Sequence, residues 1–356
     1  GGDAVIEVSP EGEFGELVQR GGLIIGKGDA ERYEHEDGTF WNYAQGDATF
    51  EGAEFTLYNR SDAAVWYDGN GDGELQDGEM IAPDGVVAVL STEYNASLDA
   101  WTASTGVRAL PYGTYTIAET ATNDSYLLTD GEPRTFEVRE DGIVVTADED
   151  GGALLWSDQV VRHDMHLQKK GTVHGEKLGL VPFLITNVTT GEAHVAVTDR
   201  NGMLSTSSEW RSRGEDVNAN DALLAEDFTD SADIVEGAGI WFGLGERGSM
   251  AEPDDALGAL PYGEYTIEEL RCEANEGYAL WSDAFNVSRD TTDTSLDIDL
   301  GTVDDVPEPR IDTVALDKAD GDHSLSPSKN AVVVDEVSYA NVPLEDLVAR
   351  GWLVDK

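Results

Sequence analysis

The twelve residues from Asp68 to Glu79, DGNGDGELQDGE, fit the D-x-[DN]-x-[DN]-G-x₅-E pattern without a mismatch. Asp68, Asn70 and Asp72 would offer side-chain oxygens, Glu74 its backbone carbonyl and Glu79 a bidentate carboxylate, with Gly73 at the sharp turn. A hard, oxygen-seeking cation suits this donor set, and the pattern predicts Ca²⁺ held with the affinity of extracellular modules, roughly 10⁻⁴–10⁻³ M. The flanks, AAVWY and MIAPDGVV, read as strands, so the loop belongs in a hairpin rather than between two helices. An Asp-Gly-rich turn without a metal is the competing reading, because an acidic chain raises the rate of chance matches. Other reactive side chains point to less. His163 and His166 fall on opposite faces of a strand, which argues against zinc shared with His174. Cys272 is the sole cysteine, so no intrachain disulfide can form, and its acidic neighbours disfavour a thiolate. No G-x-S-x-G elbow, P-loop or dinucleotide fingerprint occurs.

The elements that must position these residues are strands. Eleven Asp-Gly or Asn-Gly pairs punctuate the chain, and these pairs accept the positive φ angles of tight hairpins. Between them lie short alternating runs such as AEFTLYN (53–59), TYTIAET (114–120), TFEVRE (135–140) and AHVAVT (193–198). Helical periodicity is confined to NDALLAEDF (220–228) and PLEDLVARG (343–351). The predicted fold class is all-β, built of tandem β-sandwich domains.

With 356 residues, the chain has room for roughly two to three domains. Its 72 acidic residues against 22 basic ones give a net charge of -50. That excludes a phosphate-binding face for nucleic acid and disfavours docking on an anionic membrane. The longest apolar run, LGLVPFLI (178–185), is too short to cross a bilayer. Disorder is excluded by a hydrophobic content of 40%.

A repeat sets the domain frame. ALPYGTYTIAE (109–119) recurs as ALPYGEYTIEE (259–269), nine of eleven positions being identical. Upstream, VQRGGLIIGK (18–27) and VVRHDMHLQK (160–169) share the Arg-to-Lys spacing. Two domains of one design are therefore expected at 20–160 and 161–305, the first carrying the calcium loop. Residues 1–19 resemble the closing strands of a preceding module, and residues 306–356 open a different unit after VPEPR. The segment 204–258 is a long polar insertion whose Trp210, Trp241 and Phe242 are candidates for a ligand surface.

The frame G-x-x-I-x-K, GAEFTLYN, LPYGTYTIAET and a late strand resembles the Cna protein B-type, prealbumin-like (SpaA-type) domain, the stalk unit of Gram-positive adhesins and pilins. The second copy, with VPFLITNVTTGEAHVAVTDRNG and GIWFG, is similar to the longer variant of VaFE-repeat surface-anchored proteins. RIDTVALDKADGDH (310–323) followed by VVVDEVSYANV (332–342) resembles the start of a Thr–Gln ester-bond domain.

The resemblance implies an isopeptide bond between first and last strands. Such a bond needs a lysine made neutral by burial, an Asp or Asn carbonyl within reach, and a carboxyl raised in pKa to carry the proton. Lys27, the only lysine between residues 1 and 168, falls on the family's first-strand position. Glu119 falls on the acid position and Asp158 near the late-strand partner. In the second copy the equivalents are Lys169, Glu269 and either Asp304 or Asp305, with Lys170 and Lys177 competing for the lysine role. In the tail, Thr313 matches the ester-forming threonine and Asp335 the assisting acid.

These features together predict a non-enzymatic stalk or adhesion segment on a Gram-positive cell wall, crosslinked within each domain and braced by calcium. Its partners would be adjacent domains of the same chain and an unidentified surface ligand, with no nucleic acid and no inserted membrane segment. The alternative is a carbohydrate- or host-protein-binding module of a large secreted enzyme, and that reading needs surface aromatics in 204–258.

Overall fold

In the computed structural model, the described residues are 19–31, 43–172, 175–214, 216–243, 251–289, 297–324 and 332–341. They form a succession of antiparallel and mixed sheets, as the alternating runs require. All but the last residue of the module proposed at 1–19, and the helix over 343–351, lie outside the described residues.

The first sandwich pairs two sheets. One is centred on a lysine-bearing strand, Arg20–Asp29, which pairs parallel with Leu155–Val160 and antiparallel with Ala100–Ser104. The facing sheet runs Arg134–Val138, Gly113–Ala121, Glu54–Asn59, Val86–Ser91. Leu23, Ile25, Phe55, Leu57, Tyr115, Ile117, Phe136 and Trp156 fill the space between them.

The second sandwich repeats this plan. Arg162–Gly171 pairs parallel with Asp297–Asp305, facing a sheet ordered Ala193–Val197, Pro182–Asn187, Gly263–Glu269, Ser282–Val287. The repeated LPYG segments do the same job twice. Leu110–Pro111 and Leu260–Pro261 each pair with the start of the lysine strand. The hydroxyls of Tyr115 and Tyr265 donate to the carbonyls of Pro111 and Pro261 at 2.8 and 2.7 Å. A third unit contributes the hairpin of Arg310–Asp317 and Val333–Ala340.

Two expectations need correction. The helix over 220–228 is a short 3₁₀ segment, Ala219–Ala225, pinned by Asn218 and Asn220 rather than carried by helical periodicity. The insertion's adjacent aromatics are not a surface. Trp241 and Phe242 are buried, with Phe242 in the core and the Trp241 indole N–H donating to the Ala251 carbonyl, whereas Trp210 and Phe228 are exposed. The alternative binding-module reading loses the adjacent pair on which it depended.

Candidate functional site: a buried lysine with two carboxyl groups, built twice

Strand alternation delivers each charged group to the interior. Leu23, Ile25 and Lys27 follow one another inward at period two, as do Met165, Leu167 and Lys169. The acids continue their own apolar files, Tyr115-x-Ile117-x-Glu119 and Tyr265-x-Ile267-x-Glu269. In the first sandwich Lys27 lies opposite Trp156 and Asp29 opposite Asp158, while Glu119 lies opposite Phe55 on the facing sheet. In the second, Lys169 lies opposite Val303, Gly171 opposite Asp305, and Glu269 opposite Phe183. The register is the same position for position, with Val303 and Gly171 where the first sandwich has Trp156 and Asp29.

The Lys27 amine lies 2.7 Å from Glu119 Oε2 and 2.9 Å from Asp158 Oδ2, and all three side chains are fully buried. The hydrogen bond runs to Glu119, whereas Asp158 Oδ2 is close without being aligned as an acceptor. Asp158 Oδ1 instead accepts the Thr129 N–H at 2.9 Å, which fixes the carboxyl plane. The wall is aromatic. Phe55 meets Trp156 edge-on at 5.3 Å, and Arg134 covers the other side of the indole at 4.1 Å. Burial pushes the Glu119 carboxyl up to about 7, Lys27 opposing the rise and Asp158 adding to it.

In the second sandwich the Lys169 amine lies 2.7 Å from Glu269 Oε2 and also contacts Asp305 Oδ1, again with all three side chains buried. Here Asp305 is raised, to about 6, by burial first; its hydrogen bond to Lys169 opposes the rise. The two glutamates also differ in support. Glu269 Oε1 accepts from the Asn275 amide at 2.8 Å and Oε2 from the Trp281 N–H at 3.0 Å, whereas Glu119 Oε1 is buried without a partner. Sequence reading missed Thr129, Asn275 and Trp281, because backbone donors and a loop asparagine leave no pattern.

Of the alternatives left open by the sequence, Asp305 and Lys169 meet. Asp304 pairs in register with Lys170 and faces out, and Lys177 is exposed. Thr313 and Asp335 lie in neighbouring strands, Thr313 opposite Val337 and Asp335 opposite Ala315. They are therefore diagonal neighbours on one face of an exposed hairpin.

The Asp68–Glu79 loop joins two short strands, Val65–Trp66 and Met80–Ile81. Gly73 has φ +74 and its N–H donates to Asp68 Oδ2 at 3.1 Å, the turn that the ligand pattern needs. Asp68 Oδ1 is buried and unpartnered, as an oxygen aimed at a cation would be. Asn70 and Asp72 accept from backbone N–H groups of the loop, and Glu79 Oε2 from the Trp66 indole at 3.0 Å and the Gln76 N–H at 2.9 Å. Leu75 is exposed, not packed inward. Among the described residues no three carboxylate, imidazole or thiol groups are gathered as a metal cage.

His163 and His166 have partners within the fold. His163 is buried against the Ser288 carbonyl at 2.8 Å, and His166 lies beside Asp297 and Asp299. His174 lies outside the described residues. Cys272 is buried, and burial raises its thiol pKa further from reactivity.

Residues 43–151 match the family described as SpaA, prealbumin-like fold domain, and residues 309–356 match the T-Q ester bond containing domain. No curated protein is similar to the chain in sequence. Among solved structures it is similar to the Bacillus anthracis TIE protein, at 16% identity and TM-score 0.40, over 90% of this chain and 44% of that one. It is similar to the streptococcal ancillary pilin at 16% identity and TM-score 0.25, over 81% of this chain and 64% of that one. For BcpA, the major pilin subunit of Bacillus cereus, the values are 12% and 0.21, over 81% and 99%. The chain thus spans less than two thirds of the first two. No helix among the described residues is long and apolar enough to cross a membrane. Within this chain, then, residues 43–151 are similar to the SpaA prealbumin-like domain and residues 309–356 to the T-Q ester bond containing domain.

Proposed function

We propose that this chain is a structural stalk segment of a Gram-positive surface protein, in which each sandwich closes an amide bond between its lysine and its late-strand aspartate. The observation that carries this reading is the twofold recurrence of a lysine and two carboxyl groups, all buried, on matching strands. Left as ions, such a trio is costly to bury, and one excess negative charge would stay uncompensated. A proton on Glu119 makes the set neutral, and its raised pKa supports that state near neutral pH.

The chemistry then balances without a cofactor. A proton passes from the Lys27 ammonium to the Asp158 carboxylate, leaving a neutral amine beside two carboxylic acids. The amine attacks Asp158 Cγ, Glu119 hydrogen-bonds the carbonyl oxygen and relays the amine proton to the departing hydroxyl. One C–N bond forms, one C–O bond breaks and one water leaves. Nothing is oxidised, and each site reacts once, so the protein turns over no substrate. Thr313 with Asp335 would be half of an ester site in the third unit.

A bond from 27 to 158 would carry tension between the first and last strands directly. Under force, the crosslinked sandwich is expected to yield almost none of the roughly 3.3–3.6 Å per residue that the intervening chain contains. Force spectroscopy on the full chain reads this extension, and full release of both loops would contradict the stalk reading.

Calcium is the second element of the proposal. Asp68, Asn70, Asp72, Glu79 and the Glu74 carbonyl would hold the ion, supported by the left-handed Gly73 and the unpartnered Asp68 oxygen. The ion would supply a positive centre that ties the hairpin together. Calcium at several millimolar should raise the thermal midpoint of a chelator-treated chain, and Asp68→Ala should remove the response. Equal midpoints with and without calcium would sink this part.

A further inference from the structure

The two sandwiches begin with equivalent arginines in unequal surroundings. Arg162 pairs in register with Pro261, and Nη1 donates to the Ala259 carbonyl at 3.0 Å. Its guanidinium lies over Trp241 at 3.9 Å. Arg20 pairs in register with Pro111, Nη1 donates to the Ala109 carbonyl at 2.7 Å, and the guanidinium lies over Trp66 at 4.2 Å. To this point the two sites are copies.

They differ at the remaining edge of the guanidinium. Arg162 is closed off by the first sandwich: Glu31 accepts from Nε through both carboxylate oxygens, at 2.8 and 3.0 Å, and Gln45 Oε1 accepts from Nη2 at 2.7 Å. The junction around it is tight, with the Asp47 N–H on the Tyr262 carbonyl and the Glu264 N–H on Asp47, both at 2.9 Å. Among the described residues, Arg20 has no such closure. Its Nη2 is buried without a hydrogen-bond partner, although the residue is only 7% exposed. Beside it opens a cleft of about 700 Å³ between the Asp68–Gly73 loop and the Gly106–Ala109 turn, with Asp141 at its rim. Burial lowers the Arg20 pKa, and Asp68 offsets only part of that effect. A cation held this way lacks the carboxylate and carboxamide that its twin possesses.

We propose that this cleft is a docking socket for an acidic polypeptide segment presenting a carboxylate and a carboxamide, the pair that Glu31 and Gln45 supply to Arg162. A bidentate carboxylate on Nε and an amide oxygen on Nη2 would complete the guanidinium fork, whose planar geometry selects such partners over isolated anions. The rim acids do not prevent this, since at the filled site Asp29 lies beside Glu31, accepting its N–H at 2.7 Å. The socket is independent of the crosslinks but shares the Asp68–Gly73 loop with the proposed calcium site.

The test uses the full chain with ¹⁵N-labelled arginine and a synthetic peptide of residues 29–47, which carries both Glu31 and Gln45. The peptide should shift the Arg20 Nε–H resonance saturably in the millimolar range and leave the Arg162 resonance in place. A peptide with Glu31→Ala and Gln45→Ala should shift neither. Thermal unfolding adds a second reading. Arg20→Met should fall less than Arg162→Met, because it loses the Ala109 hydrogen bond and the Trp66 contact, whereas Arg162→Met also loses the bonds to Glu31 and Gln45. An unmoved Arg20 resonance at the peptide's solubility limit, or an equal response to the substituted peptide, overturns the socket. So does an Arg20→Met chain that unfolds as early as Arg162→Met, which would make Arg20 a strut of the fold.

Discussion

Lys27→Ala is expected to lower the unfolding midpoint of the first sandwich by roughly 15 °C, the largest single-residue effect in the chain. Two losses add. An amide between residues 27 and 158 closes most of the domain, and by the loop-entropy model a crosslink of that length is worth about 5 kcal/mol. At roughly 2–8 °C per kcal/mol for domains of this size range, the crosslink alone accounts for the shift. The second loss is electrostatic, because Glu119 and Asp158 remain buried without their cation. Differential scanning calorimetry separates the two sandwiches if only the transition of the first moves. A Lys27→Ala chain that melts within a few degrees of the parent would mean that no crosslink braces this sandwich.

Asp305→Ala should do the same to the second sandwich, and Asp304→Ala should do almost nothing. The pair is informative because the residues are adjacent and chemically identical. Only Asp305 reaches the Lys169 amine, while Asp304 faces solvent opposite Lys170. The expected loss is again several kcal/mol for Asp305→Ala, since the closed loop is as long and the lysine is left buried beside Glu269 alone. Asp304→Ala should stay within about 0.5 kcal/mol of the parent, as surface substitutions do. Equal effects from the two changes would place the partner elsewhere.

The contrast between these neighbours shows where sequence reasoning stops. Alternation identifies a strand, but it does not say which of two consecutive aspartates turns inward. That choice is made by an irregularity. Along Asp297–Asp305 the inward residues are Ile298 and Leu300, then Val303 and Asp305, because one extra residue near Gly301 shifts the register against Arg162–Gly171. Counting from the start of the strand would have selected Asp304. By contrast, the first site was legible from residue types, since Lys27 is the only lysine between residues 1 and 168 and Glu119 ends a repeated motif.

The fold class was legible for a similar reason: hairpin pairs and period-two runs are local signals, and both survive in the sheets. The insertion was not. Its polar composition hides Trp241 and Phe242, which are drawn inside by Arg162, Arg213 and the neighbouring core through contacts remote in sequence. The junction arginines were visible only as equal spacing to a lysine, and nothing in the letters marks one as capped and the other as open.

The central claim is that both buried trios have reacted to amides. The intact mass of the purified, denatured chain tests it most directly. The expected mass is two waters below the sequence mass, with the deficit reduced to one water in Lys27→Ala and likewise in Lys169→Ala. A mass equal to that of the sequence would contradict it, leaving two sandwiches that hold unreacted ion clusters at their centres.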